Sequence, residues 1–255
     1  MTALLETRNL SLQFGGVNAL SDVSLSIEDS ALHAIIGPNG AGKTSLFNCL
    51  TGYYKPTSGT IEFLGKNITR MSTADVAALG IRRTFQNIRV FPTMTVLENV
   101  LAGAHLRASS NLFSIIVGTP GFRRSERELQ ENAISSLEFV GLGEQASKLA
   151  GDLPYGMRKR MELARVLIAN PKLVLLDEPA AGVSSVEREE LSRVISRIHD
   201  NGVSIVLIEH DVELVMEIAT DVTVLDNGRL IASGNPHEVR NNPDVIRAYM
   251  GRSRK

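Results

Sequence analysis

The chain has 255 residues, of which 43% are hydrophobic and 22% charged, as in an ordinary globular protein with a sizeable core. This length suits one large α/β domain or one domain with a subdomain. The formal net charge of −1 excludes a global positive field that would favour nucleic acid or anionic lipid. No apolar run approaches the ~20 residues that span a bilayer, and the N-terminus lacks the apolar segment of a signal peptide. We therefore expect a soluble, cytoplasmic protein.

The N-terminal part of the chain is predicted to form strands, turns and two short helices. Strands are predicted at residues 4–14, 23–27, 32–36 and 60–63, with turns at 15–16, 55–59 and 64–67. Helices are predicted at 44–50 and at 73–79, the second N-capped by Ser72 and stopped by Gly80. The single cysteine, Cys49, is expected to be a small core residue, and no disulfide is possible.

The middle of the chain changes character. Apolar residues recur at helical spacing over 96–106 and 126–140, which predicts a helical insert. An α/β pattern then resumes, with predicted helices at 157–169, 185–200 and 213–219, strands at 173–176 and 204–208, a hairpin at 222–232 and a helical tail at 236–250 divided before Pro243. We assign 87–163 to the helical subdomain, and 1–86 with 164–255 to the α/β core and its β subdomain.

The most informative segment spans residues 37–44, Gly-Pro-Asn-Gly-Ala-Gly-Lys-Thr, which fits the phosphate-binding pattern G-x-x-x-x-G-K-[ST]. An apolar strand precedes it and a helix follows it, as this pattern requires. The glycines allow a tight curl that turns successive N–H groups toward phosphate oxygens, and the helix adds its positive N-terminal end. Lys43 is expected to reach the β- and γ-phosphates, and the Thr44 hydroxyl to bind Mg²⁺. The segment predicts a nucleoside triphosphate site.

Two adjacent carboxylates, Asp177 and Glu178, end a predicted buried strand. Asp177 is expected in the Mg²⁺ shell, directly or through water, because Mg²⁺ prefers few carboxylates plus water and phosphate oxygens. Glu178 is expected to face the attacking water as a general base or a water-orienting group. An acidic cap at a strand end is the simpler interpretation, but the phosphate loop favours the catalytic one.

Three further residues are candidates for the same site. Gln86 lies at the border of the insert, where an amide would contact both metal and water. His210 ends the predicted strand 204–208, at the sheet edge where α/β proteins bind ligands, and would hold the γ-phosphate and orient water. Phe14 either stacks on adenine or packs in the core.

In this order, these segments resemble the nucleotide-binding subunit of ABC transporters over essentially the whole chain. Phe14 corresponds to the A-loop aromatic, residues 37–44 to Walker A, Gln86 to the Q-loop, Asp177 and Glu178 to Walker B, and His210 to the switch histidine. The resemblance implies a P-loop NTPase (RecA-like) α/β core with an antiparallel β subdomain and a helical insert. Leu153 and the four residues after it fall where that family carries its signature.

The resemblance also implies a set of site residues and the ligands ATP and Mg²⁺. The nucleotide-binding residues are Phe14, Gly37, Pro38, Asn39, Gly40, Ala41, Gly42, Lys43, Thr44, Ser45, Pro154, Tyr155, Gly156 and Met157. The catalytic residues are Glu178, His210 and Gln86, and the metal ligands are Thr44, Gln86 and Asp177.

Finer segments resemble the importer branch for branched-chain amino acids and related amides. They are Arg83-Thr84-Phe85-Gln86-Asn87 and the segments 91–96, 119–124, 177–182 and 241–249. This branch implies ATP hydrolysis at a dimer interface that drives uptake, with each ATP between one chain's Walker A and the other's signature. It further implies a second ABC ATPase, two membrane permease subunits and, indirectly, a periplasmic or extracellular substrate-binding protein, with no nucleic acid. The chain would then lie on the inner face of the cell membrane.

The signature departs from the family pattern Leu-Ser-Gly-Gly-Gln, because Pro154 replaces the serine and Met157 the glutamine. Proline has neither the hydroxyl that donates to the facing γ-phosphate nor an N–H, so one charge-assisted hydrogen bond worth roughly 1.5–3 kcal/mol is lost. Ser184 stands where the family commonly has an aspartate. Since a homodimer would weaken both sites equally, we expect a heterodimer with an ATPase of consensus signature.

Two alternatives remain open. A non-transport ABC ATPase, acting on ribosomes or in DNA repair, usually carries two cassettes or long coiled-coil insertions, whereas this chain has one Walker A and a short insert. A nucleotide-binding regulatory subunit with low turnover is favoured by Pro154 and opposed by Glu178 and His210. The substrate class is inferred from the resemblance alone.

Overall fold

The computed structural model describes residues 3–84, 89–104 and 120–250. The chain divides into two compact units. The first comprises residues 1–83, 172–179 and 196–255, and the second comprises residues 84–171 and 180–195. The division predicted from the sequence, with a helical subdomain at 87–163, remains a prediction. Within the described ranges, no helix has the length and apolar character needed to cross a membrane.

Among the described residues the strands all belong to the first unit, and the helices are shared between the two. In chain order the strands are β1 (Ala3–Phe14), β2 (Val17–Glu28), β3 (Leu32–Ile36), β4 (Ser58–Phe63), β5 (Lys66–Asn67), β6 (Ile81–Arg83), β7 (Leu173–Asp177), β8 (Ser204–Ile208), β9 (Asp221–Asp226) and β10 (Arg229–Gly234). The helices are α1 (Lys43–Leu50), α2 (Thr73–Ala78), α3 (Val96–Leu101), α4 (Pro120–Phe139), α5 (Tyr155–Leu167), α6 (Ser185–Asp200), α7 (Val212–Ile218), α8 (Pro236–Arg240) and α9 (Pro243–Met250).

An antiparallel sheet in the order β2-β1-β4-β5 forms the predicted β subdomain. Every second residue at the end of β2 is buried, which is the pattern of a sheet with one face on a core. The strand predicted at 23–27 begins earlier, at Val17, because its first residues pair with the end of β1. Residues 66 and 67, predicted as part of a turn, instead pair with β4 as a short strand.

A six-stranded sheet in the order β10-β9-β3-β8-β7-β6 forms the α/β core, and only β10 runs antiparallel to its neighbour. Strands β3, β7 and β8 are buried at all five positions. Such continuous apolar runs are typical of parallel strands covered on both faces. Because β8 and β9 flank β3, the segment after β3 leaves from the carboxyl edge of a central strand, where α/β sheets bind ligands.

Helix α1 contributes Leu46, Phe47 and Leu50, all fully buried, to a hydrophobic core that also holds residues of both sheets. Cys49 on the same helix is buried, as predicted, and burial raises the pKa of its thiol to about 11. Ser72 caps α2 through its side chain, which accepts a hydrogen bond from the backbone N–H of Asp75. The cap prediction for this helix is confirmed.

The second unit is helical in its described part. Helix α3 begins at a capping box in which Thr95 and Glu98 satisfy each other's backbone N–H groups. It ends at Leu101 and continues as a 3₁₀ turn to Ala104, while the rest of the predicted helix 96–106 lies outside the described residues. Helix α4 begins at Pro120, before the predicted residue 126, and α5 begins at Tyr155, before the predicted residue 157.

Candidate nucleotide-binding and hydrolysis site

The phosphate loop lies between β3 and α1 in the first unit. Its backbone turns where the N–H of Ala41 donates to the carbonyl of Pro38 at 3.1 Å. Gly42, the N-cap of α1, has a left-handed φ of 105°, and a Cβ there would lie 2.6 Å from the carbonyl oxygen of Ala19. Glycine is therefore required at this position. No described side chain caps α1 and its first turn carries no acidic residue, so its N–H groups suit an anion such as phosphate.

The β9–β10 hairpin and the C-terminal helix support this loop. The N–H of Gly228, at the hairpin turn, donates to the carbonyl of Ala41 at 2.9 Å. Gly37 fits closely against the hairpin, because a Cβ there would lie 2.1 Å from the carbonyl oxygen of Leu225. Tyr249 of α9 approaches the backbone N–H of Gly37, and burial raises the pKa of its phenol.

Lys43 is buried beneath the loop with its ammonium group held by loop carbonyls. Its Nζ donates to the carbonyl of Gly37 at 2.6 Å and to that of Pro38 at 3.2 Å. Burial lowers the pKa of this lysine, while the charges of Glu178 and Asp177 act in the opposite direction. A buried cation whose described hydrogen bonds go to neutral carbonyls is well suited to phosphate oxygens, which would satisfy both its charge and its donors.

Asp177 ends β7 and is buried against an arginine from β6. Nη2 of Arg83 lies 2.6 Å from Oδ2 of Asp177, and Nη1 of Arg83 donates to the side-chain oxygen of Asn48 on α1 at 2.6 Å. The guanidinium carbon also lies 5.6 Å from the ring centroid of Phe47. The predicted metal ligand is thus tied by one planar cation to the helix that follows the phosphate loop. Sequence reasoning named Arg83 only as part of a family segment and missed this role.

Glu178 and His210 come together at the carboxyl edge of β7 and β8. Nε2 of His210 lies 2.7 Å from Oε1 of Glu178, and the backbone N–H of Glu178 donates to the carbonyl of Ile208 at 2.9 Å. Glu178 has a positive φ of 49°, an uncommon conformation for a non-glycine residue. Asp211 fixes the next turn, because its side chain caps α7 at the N–H of Leu214. The structure therefore places the two predicted catalytic side chains within hydrogen-bond distance.

Phe14 ends β1 with 46% of its surface exposed, so the interpretation that it packs in the core is wrong. Its ring meets that of Tyr54 edge to face, with centroids 5.0 Å apart, and Tyr54 lies beside the exposed Tyr53. Stacking of Phe14 on adenine remains a prediction. The two tyrosines were missed by sequence reasoning, since they lie in a turn after α1 and belong to no motif.

The signature segment belongs to the second unit, at the start of α5. Pro154 is the N-cap residue of this helix and supplies no side-chain cap. Tyr155 is exposed, whereas Gly156 is buried, and its backbone N–H donates to Oε1 of Glu187 at 3.1 Å. Met157 is half-buried.

The remaining predicted metal-site and phosphate-site residues are Gln86, Thr44 and Ser45. Gln86 lies outside the described residues. Thr44, the last residue of the phosphate loop, is exposed, and Ser45 is half-buried in the first turn of α1. The described ranges contain no group of three or more His, Cys, Asp or Glu residues able to hold a metal ion. A site built from Thr44 and Asp177 would therefore depend on phosphate and water oxygens for its other ligands, as Mg²⁺ sites in nucleotide-binding proteins do.

Comparison with protein families decides the classification. Residues 20–181 match the family model described as ABC transporter, and residues 229–254 match the model described as branched-chain amino acid ATP-binding cassette transporter. The chain belongs to the ABC transporter family. The resemblance that the sequence motifs suggested is thereby confirmed, and so is its assignment as an ABC-type ATPase.

Individual relatives cover nearly the full length of the chain. The high-affinity branched-chain amino acid transport ATP-binding protein LivG of Salmonella typhimurium is 44% identical over 249 residues, which are 97% of this chain and 98% of that protein. BraF of Pseudomonas aeruginosa, of the same description, is also 44% identical over the same shares.

Solved structures of ABC cassettes share the fold. A nucleotide-free ATP-binding cassette from an ABC transporter has a TM-score of 0.85 and 34% identity, covering 97% of this chain and 99% of its own. The ADP conformation of another such cassette has a TM-score of 0.86 and 32% identity, covering 98% and 100%. The predicted fold class, a P-loop NTPase core with an antiparallel β subdomain, is confirmed, and a nucleotide is the ligand of this ABC cassette.

Proposed function

We propose that this chain is the ATP-binding subunit of an ABC importer and hydrolyses ATP at an interface between two cassettes to drive uptake. The observation that carries the proposal is the 2.7 Å contact of His210 with Glu178, on the same sheet edge as the phosphate loop. A carboxylate positioned by a histidine beside a phosphate site is suited to accept a proton from an attacking water. A module that only binds nucleotide does not need it.

The chain's own residues fit ATP with Mg²⁺. The loop 37–44 and the first turn of α1 would bind the phosphates, and Lys43 would exchange its loop carbonyls for phosphate oxygens. Thr44 and Asp177, with Gln86, would hold Mg²⁺, which neutralises charge on the phosphate oxygens when bound. Phe14, half-exposed beside Tyr54, would offer its ring to the adenine.

In this reaction Glu178 accepts a proton from the attacking water, and His210 holds the carboxylate in the direction of that water. The positive φ of Glu178 and its backbone bond to Ile208 fix where the carboxylate leaves the strand. The signature residues 153–157 would meet the ATP of the facing cassette. Because Pro154 lacks the serine hydroxyl, we propose a heterodimer in which the facing chain carries the stronger signature.

The transported substrate is proposed to be a branched-chain amino acid or a related small amide. Support comes from the C-terminal family match at residues 229–254 and from the printed names of LivG and BraF. The partners would be a second ABC ATPase, two membrane permeases and, indirectly, a periplasmic or extracellular substrate-binding protein. The chain would lie peripherally on the inner face of the cell membrane through the permeases. Uptake of leucine, isoleucine and valine, compared with urea, in membrane vesicles holding the complex tests the substrate class.

The Glu178→Gln variant tests hydrolysis directly. An amide keeps the shape of the carboxylate but does not accept the proton of water, so ATP turnover by the assembled complex should fall by about 10²–10⁴-fold. Binding of ATP should persist, because the phosphate loop is intact. Phosphate release and the quenching of a fluorescent ATP analogue measure the two quantities separately.

The matched control is Glu217→Gln, which removes a carboxylate from an exposed position of α7. It should leave turnover unchanged. Turnover that persists in Glu178→Gln would contradict the assignment of Glu178 as the general base. Absence of turnover in the unaltered complex would instead favour the regulatory alternative, a nucleotide-binding subunit without hydrolysis.

A further inference from the structure

Glu187, in the first turn of α6, is hydrogen-bonded to the start of α5, where the signature residues 153–157 lie. Its Oε1 accepts the backbone N–H of Gly156 at 3.1 Å. Its Oε2 accepts both the backbone N–H and the hydroxyl of Ser184, at 2.9 and 2.8 Å. One carboxylate therefore joins the loop after Walker B to the first turn of α5. The donors of Ser184 and then that of Gly156 lower the pKa of Glu187, so the group is charged at neutral pH.

The fit around Gly156 shows how close this contact is. A Cβ on Gly156 would lie 2.4 Å from Oε1 of Glu187, so any larger residue would displace the carboxylate. The neighbouring Tyr155 packs over the same loop, where a Cβ on Gly182 would lie 3.4 Å from its ring. Farther along α5, Nη2 of Arg160 lies 3.3 Å from Oε2 of Glu190 of α6. The loop and the helix start are thus held together at several points.

Pro154, the N-cap residue of α5, leaves the first turn of this helix without a side-chain acceptor of its own. An N-cap serine would offer its own oxygen to the N–H groups of the first turn, whereas proline offers none. Helix starts leave N–H groups that need an acceptor, and a nearby carboxylate is favoured by the helix dipole. Glu187 supplies that acceptor from another helix.

This contact conflicts with the role of the signature in the proposed function. A facing ATP would bring a negatively charged γ-phosphate to the same helix start. The N–H of Gly156 would then be shared between two anions, and like charges at short range repel. The Glu187 carboxylate opposes that approach for as long as it stays on Gly156.

We propose that Glu187 is a positioning residue that controls access to the signature. Its carboxylate accepts the N–H of Gly156 in the open cassette and opposes the γ-phosphate of a facing ATP. This inference rests on the proposed function, since it requires two cassettes that enclose ATP. Ser184 helps to position this carboxylate, because its backbone N–H and hydroxyl both donate to the second carboxylate oxygen.

The test measures how ATP drives association of the full chain, alone and mixed with the ATPase subunit that co-purifies with it. The parent chain and each variant compared with it carry Glu178→Gln, so that ATP bound to this chain is not hydrolysed. Adding Glu187→Gln removes the charge and should lower the ATP concentration for half-maximal association by about three- to tenfold. ADP lacks the γ-phosphate, so association with ADP should not change.

The matched control is Glu189→Gln, which removes the same charge from the same helix at an exposed position paired only with Arg193 among the contacts described here. It should leave the ATP dependence unchanged. A second measurement follows hydrogen exchange of the peptide holding Gly156 in the nucleotide-free chain. Exchange of the Gly156 amide should be faster in Glu187→Ala than in Glu189→Ala, because its acceptor has been removed.

The possible outcomes test the role of Glu187 separately from the proposed function of the chain. Weaker ATP-driven association in Glu187→Gln would overturn the inference, because Glu187 would then be a support that the closed dimer needs. An equal shift in Glu189→Gln, or unchanged exchange at Gly156, would overturn it as well. Absence of any ATP-driven association in the parent would instead contradict the proposed function, and the exchange experiment would still decide whether Glu187 holds Gly156.

Discussion

At the scale of single residues, the site depends on contacts between residues far apart in the chain. Arg83 meets Asp177 across 94 positions, and His210 meets Glu178 across 32. The sequence predicted Asp177, Glu178 and His210 as candidates, because motif spacing and strand ends mark them. It did not predict Arg83 as the partner of Asp177, because neither its charge nor its neighbours show which carboxylate it reaches. Ion pairs of this kind are set by sheet order, here the pairing of β6 with β7.

Replacing Arg83 with methionine should destabilise the nucleotide-free chain strongly. The Arg83–Asp177 pair is largely buried, and removing Arg83 takes a charged hydrogen-bond partner away from a buried carboxylate. Breaking such a pair typically costs about 3–5 kcal/mol, so the free energy of unfolding in urea should fall by about that amount. The double variant Arg83→Met with Asp177→Asn removes both charges and should recover most of the loss. Equal stability of the single variant and the unaltered chain would show that the pair contributes nothing.

At the scale of elements, hydrophobic patterns predicted the core strands well. Strands β7 and β8 were visible because parallel strands covered on both faces are continuously apolar. Strand β6 was missed, since its residues Ile-Arg-Arg are too short and too basic to signal a buried strand. Its arginines are accommodated because Arg82 donates to a carbonyl of α2 and Arg83 to Asp177. Periodicity alone carries no information about such partners.

The start of α5 is the element where sequence and function disagree most, and restoring its consensus should raise activity. In Pro154→Ser with Met157→Gln, the serine hydroxyl should hydrogen-bond the γ-phosphate of the facing ATP, which is worth about 1.5–3 kcal/mol or at least tenfold in the rate of that one site. Proline and serine both suit a helix start, so the fold should be unchanged. The ATPase rate of the proposed heterodimer, measured with and without the double change, tests this expectation. Robust hydrolysis by the isolated, unaltered chain would contradict the idea of a weakened signature.

At the scale of the whole molecule, polar side chains link the strands beneath the phosphate loop. Nε2 of His33 on β3 lies 2.9 Å from the hydroxyl of Thr223 on β9, which lies 3.0 Å from the hydroxyl of Ser233 on β10. His33 and Thr223 are buried, whereas Ser233 is exposed, so this chain of hydrogen bonds runs from the interior of the sheet to its surface. Burial lowers the pKa of His33 to about 4, although the charge of Asp221 acts in the opposite direction. The central sheet therefore carries a neutral histidine whose protonation opposes folding.

The stability of the whole chain should consequently fall as the solution becomes acidic. Between the unfolded pKa of about 6.5 and the folded value near 4, the unfolded chain binds a proton that the folded chain does not. Unfolding therefore becomes more favourable as the pH falls through this range. This one group should lower the free energy of unfolding by about 2 kcal/mol between pH 7 and pH 5, and contribute little above pH 7. Urea titrations at each pH should show a smaller decrease for His33→Gln, whose amide keeps a hydrogen bond to Thr223 but does not titrate. The exposed His237→Gln is the control and should retain the full decrease. The same decrease in His33→Gln would place the acid sensitivity in other groups.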